Sequence, residues 1–145
     1  MQNKNLSVEE SLTLAIQNHQ KNNFEIAQDL YEKILKISPD HFKVIFLLGT
    51  LSAQTKNFDK AKQLLQKATQ IQPNNADAHN NLGSAQKETG ENQKAINSYE
   101  KAIQINPNYA NTHNNLGVVL KEVGKYQKAI SCFEKAIQIN PNYVE

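Results

Sequence analysis

A chain of 145 residues has the length of one domain, yet its 39% hydrophobic content is small for a globule with one concentrated core. Asn and Gln together outnumber the charged residues, which suits stacked layers that bury only their contact faces. All basic residues are Lys; they balance 14 acidic residues to a net +2 without any like-charged block, which excludes a nucleic-acid patch and a polybasic membrane anchor.

The N-terminal tail, residues 1–7, is polar and lacks an apolar leader segment, and no run of residues is apolar enough to span a bilayer. Ser7-Val8-Glu9-Glu10 reads as a capping box that opens the first helix. From there the chain divides into four blocks, 8–41, 42–75, 76–109 and 110–143, each closing near a proline: Pro39, Pro73, Pro107 and Pro141, spaced by 34 residues. Residues 144–145 are expected to start a further, truncated unit. Blocks three and four share His-Asn-Asn-Leu-Gly (from His79 and His113) and Glu-Lys-Ala-Ile-Gln-Ile-Asn-Pro-Asn-Tyr (from Glu100 and Glu134).

Within each block the apolar period is helical. Leu116, Val119, Leu120 and Val123 fall at i, i+3, i+4 and i+7, and Tyr126, Ala129, Ile130, Phe133 and Ile137 continue after a break. The predicted helices cover 8–21, 24–37, 41–55, 58–71, 75–88, 92–105, 109–122 and 126–139. Breaks at Asn22, Gly90 and Gly124 suit the left-handed conformation that ends a helix, whereas Lys56 predicts a differently shaped turn. Asp40, Asn74, Asn108 and Asn142 are the expected N-caps after each proline. Small residues recur where helices must approach: Gly49, Gly83 and Gly117 in first helices, and Ala27, Ala61, Ala95 and Ala129 in second helices. Bulky Tyr31, Leu65, Tyr99 and Phe133 face those gaps.

Leu-Gly in the first helix, Ala, Tyr/Phe and Ala in the second, and the terminal Pro make residues 8–143 resemble the tetratricopeptide repeat family. The resemblance implies an all-α, right-handed α-α superhelix of four helix-turn-helix units, about eight helices, with a concave groove lined by the first helices. That family carries a large aromatic early in the first helix; this chain has Ser11, Ile45, His79 and His113 there.

Carried over by that resemblance, the groove has two unlike halves. Asn80, Asn81, Ser84, Lys87, Asn111, Asn114, Asn115, Val118 and Lys121, with Glu88 and Glu122, line the C-terminal half. Leu12, Ile16, Phe46 and Leu47 form an apolar patch in the N-terminal half. An Asn amide matches the donor and acceptor of a peptide group, so Asn81 and Asn115 could hold an extended chain. They are similar to the asparagine ladder of O-linked N-acetylglucosamine transferases, though Thr13 and Leu47 stand at the ladder places of the first two blocks. The opposing reading is a solvated, Asn-rich face; for the apolar patch it is packing between layers or cover by residues 1–6. The Lys/Arg clamp that grips acidic tails has only Asn81 as a match and is not expected.

No catalytic constellation emerges. His79 and His113 lack further ligands at metal spacing, Cys132 has no neighbouring base, and no phosphate-binding glycine loop is present. No cofactor, nucleic acid or membrane is expected. The expected partner is a protein or extended peptide, and the expected setting is the cytoplasm, since one cysteine makes no internal disulfide. The last helix, 126–139, would leave its stacking face open to self-association. A longer parent enzyme (glycosyltransferase, sulfotransferase or methyltransferase) recruiting substrate through this array is the alternative.

Overall fold

The computed structural model describes residues 5–142; the expectations for residues 1–4 and 143–145 lie outside these. Eight helices follow in chain order: α1 (Val8–Gln20), α2 (Phe24–Ile37), α3 (Phe42–Gln54), α4 (Phe58–Ile71), α5 (Ala76–Glu88), α6 (Asn92–Ile105), α7 (Ala110–Glu122) and α8 (Tyr126–Ile139). There is no strand among the described residues, and every helix limit lies within one residue of its expected place.

The helix ends explain this agreement and two departures from it. Ser7 caps α1 in a full box: the Glu10 amide donates to Ser7 Oγ (3.1 Å) and the Ser7 amide to Glu10 Oε2 (2.9 Å). The later caps are not Asp40, Asn74 or Asn108. The amides of His41, Asn75 and Tyr109 donate to the carbonyls of Ser38, Gln72 and Asn106 at 3.2, 3.2 and 3.3 Å. Pro39, Pro73 and Pro107 therefore occupy the second place of a β-turn and the following Asp or Asn the third, so the cap moves one residue on. Asn75 Oδ1 accepts from the Ala78 amide (3.0 Å) and His41 Nδ1 from that of Val44 (3.4 Å), while Tyr109 caps without a side-chain bond. Asn142 donates its amide to Asn140 Oδ1 (3.2 Å).

Lys56 is the second correction. It takes φ 61°, as Asn22 does, beside 78° and 81° at Gly90 and Gly124, so all four turns have one shape. A left-handed lysine costs on the order of 1–2 kcal/mol. The same closing bond offsets it in each turn, here from the Asn57 amide to the Ser52 carbonyl (2.7 Å).

The helices form two compact units, Met1–Ile71 and Gln72–Glu145, among whose described residues each holds two antiparallel pairs. The first is built on Ala15, Ala27, Tyr31, Ile34, Val44, Leu48 and Leu51. The second includes Ala95, Ile96, Tyr99, Leu116, Val119, Leu120 and Ala129, with Phe133 and Cys132 against them. Close approach decides the glycines. A Cβ on Gly83 would lie 2.8 Å from the Tyr99 ring, and one on Gly117 2.7 Å from the Phe133 ring. On α6, Ile96 and Tyr99 are 4% and 1% exposed; on α8, Ile130 and Ile137 are 48% and 53% exposed.

Candidate functional site

The polar candidates gather on α5 and α7, the first helices of the two pairs in the second unit. Asn80 lies inside at 7% exposure, not on the lining. Its Oδ1 accepts from Thr112 Oγ1 (2.9 Å) and Asn115 Nδ2 (3.2 Å), and its Nδ2 donates to Asn81 Oδ1 (3.3 Å). A buried amide must be partnered, and these bonds tie α5 to α7 while fixing how Asn115 faces outward. Thr112, fully buried, escaped the sequence reading. The available signal was a hydroxyl residue at the place where the preceding block has Ala78.

Beside this network a cavity of about 200 Å³ opens, lined by Ser84, Lys87, Glu88, Tyr99, Asn115 and Val118. Five of the candidates thus meet at one place. Tyr99, expected only as a packing residue, supplies a hydroxyl 3.0 Å from Ser84 Oγ. Burial raises its pKa, and the carboxylates of Glu88 and Glu122 push it the same way against the Ser84 bond. Lys87 Nζ stands 3.6 Å from Glu122 and 4.0 Å from Glu88. Asn81, Asn114 and Asn115 are half-buried, while Asn111 and Lys121 are exposed.

The apolar candidates in the first unit divide. Leu12 and Leu47 pack against its core, and Phe46 stacks on Phe42 with ring centroids 6.0 Å apart. Ile16 is half-buried. His79 and His113 each bond through Nε2 to the carbonyl of the preceding block's proline, Pro73 (2.8 Å) and Pro107 (2.9 Å). They fasten turns to helices. No group of three His, Cys, Asp or Glu able to hold a metal occurs among the described residues. Burial, then Glu100, pushes the Cys132 thiol upward, away from the reactive thiolate. Among the described residues no helix is long and apolar enough to cross a membrane.

Tetratricopeptide repeat models match residues 19–85 and 110–143, and a TPR repeat model matches 87–124. A solved structure titled "Crystal structure of MamA" is 31% identical, covering 89% of this chain and 75% of its own, with a TM-score of 0.86. This chain belongs to the tetratricopeptide repeat family. A second structure, "Crystal structure of MamA protein", is 29% identical over 94% of this chain and 74% of its own, TM-score 0.89. MamA 41-end from Desulfovibrio magneticus RS-1, at 22% identity, shares the fold (TM-score 0.89, 96% of this chain and 78% of its own). No curated protein matches. Tetratricopeptide repeats are typically non-catalytic interaction scaffolds, and 400 chains of known structure match this one, so the fold alone selects no partner.

Proposed function

We propose that this tetratricopeptide array binds an extended segment of a partner protein along the face of α5 and α7. One observation carries the reading: Asn115 lines the cavity with its amide pinned by buried Asn80. A pre-oriented amide loses little entropy when it engages a peptide group. Asn81 holds the equivalent place one period earlier, so a chain running from one to the other would be read through its backbone, in the manner of the O-linked N-acetylglucosamine transferase ladder. Thr13 and Leu47 stand at the corresponding places of the first unit, where the contact would be apolar, with Ile16 and Phe46 beside it.

The test is a peptide array probed with wild type and with Asn81→Ala/Asn115→Ala. Affinity should drop by about tenfold or more if two hydrogen bonds to the peptide are lost. Unchanged affinity in a folded double mutant would remove the backbone-reading idea.

A second contact follows from the exposed apolar side chains of α8: self-association with another copy. A cytoplasmic setting fits the free thiol of Cys132. None of the described residues favours the alternative of a substrate-recruiting segment in a larger enzyme.

A further inference from the structure

The cavity between α5 and α7 has a chemistry that follows from counting protons. Ser84 has one hydroxyl proton, which can go to the Asn80 carbonyl of its own helix (3.2 Å). The Tyr99 hydroxyl lies 3.0 Å from Ser84 Oγ, and either oxygen can donate in that pair. Each of the two oxygens keeps a lone pair able to accept from a guest in the cavity that both residues line. Asn115 adds an Oδ1 acceptor and, with one Nδ2 proton held by Asn80, one remaining N–H. Glu88 contributes a carboxylate.

The charges around this floor have the same sense. Lys87 is the one cation on the lining, and it sits between two carboxylates, Glu122 at 3.6 Å and Glu88 at 4.0 Å. The three side chains sum to one negative charge. Their field reaches the floor, since both carboxylates disfavour ionisation of the Tyr99 hydroxyl. Val118 supplies an apolar wall. The volume of about 200 Å³ is several times the roughly 30 Å³ that one water occupies in the liquid, enough for one long side chain.

Hydroxyl and amide oxygens, two carboxylates against one ammonium, and an apolar wall suit a cationic side chain with a hydrocarbon stem. Resting on the peptide-binding reading above, we infer that this cavity takes an arginine or lysine side chain of the bound segment and so sets its sequence preference. The stem lies along Val118, and the guanidinium or ammonium donates to Tyr99 Oη, Ser84 Oγ, Asn115 Oδ1 and Glu88. An acidic side chain meets lone pairs and carboxylates and is rejected.

The experiment uses fluorescein-labelled decapeptides of Gly, Ser and Asn that differ only at one central residue: arginine, citrulline or glutamate. Citrulline keeps the shape of arginine and lacks its charge. Anisotropy titrations with the full chain at low salt should show arginine favoured over citrulline by about tenfold, the worth of a charge-assisted bond, and over glutamate by more. Glu88→Gln/Glu122→Gln changes two half-exposed side chains and should bring the arginine and citrulline affinities together. Lys87→Met should enlarge the preference, which a purely structural role for Lys87 would not do. Equal binding of arginine and citrulline peptides, or tightest binding of the glutamate peptide, overturns this inference and leaves the peptide-binding reading standing. If none of the peptides binds, both fall.

Discussion

At the scale of single residues, the most informative pair is Asn80 and Thr112. Thr112 is fully buried, and its hydroxyl would be stranded there without Asn80 Oδ1 at 2.9 Å. Thr112→Val keeps the shape and removes the donor; Asn80 still holds Asn115, so the expected loss is about 1 kcal/mol in urea unfolding. Asn80→Ala should cost more, since it leaves the Thr112 hydroxyl buried and unpaired. Neither role was legible in the sequence, because the partners lie 32 positions apart and an Asn on a polar-looking helix face reads as a lining residue. Gly83 and Gly117 were legible for the opposite reason. Only a residue without a side chain fits against Tyr99 and Phe133, so the requirement shows in the letters themselves.

At the scale of elements, the helix limits were readable because each break combines a residue of positive φ with a β-turn proline one helix later. What misled was the residue after proline. Asp or Asn there serves equally as the third place of a turn or as a cap, and the bond from the Asn75 amide to the Gln72 carbonyl decides for the turn. Lys56 shows that a closing hydrogen bond can impose a left-handed lysine where a differently shaped turn was expected. The contrast between α6 and α8 has a consequence for association. Ile96 is covered on α6, while Ile130, Ile137 and Tyr126 of α8 stand 48%, 53% and 63% exposed. Sedimentation of the chain should show a reversible dimer that Ile130→Lys/Ile137→Lys returns to monomer. A monomer at every concentration would dispose of self-association through this helix.

At the scale of the whole molecule, burial of tyrosine hydroxyls sets the alkaline limit of stability. Desolvation pushes Tyr31 up to about 12, and desolvation together with its bond to Asp77 pushes Tyr109 up to about 12. An ordinary tyrosine in the unfolded chain ionises near 10. Below that value both states hold the proton and the full contribution is present. Between about 10 and 12 the unfolded chain holds fewer protons, so stability falls as pH rises. Thermal unfolding should therefore be insensitive to these groups up to about pH 10 and lose midpoint above it, less steeply in Tyr31→Phe/Tyr109→Phe. An equal slope in the double variant would locate the effect elsewhere, in the lysines for instance. The architecture as a whole was open to inspection in the sequence because a 34-residue period repeats small and large residues in step. The cavity was only partly so. Its lining letters were visible, but which protons are already engaged depends on contacts between helices. One of those contacts also bears on how the chain finds its own register. The helices α6 and α8 end in the same six residues, and the turns after them continue the identity, so during folding each can mate with the other's partner. Ser84 meets a hydroxyl on Tyr99, whereas the corresponding places hold Val118 and Phe133, with no hydroxyl on either. Exchanging mates would maroon a hydroxyl against hydrocarbon, at about 1–3 kcal/mol, so this pair works as a lock and key between near-identical segments.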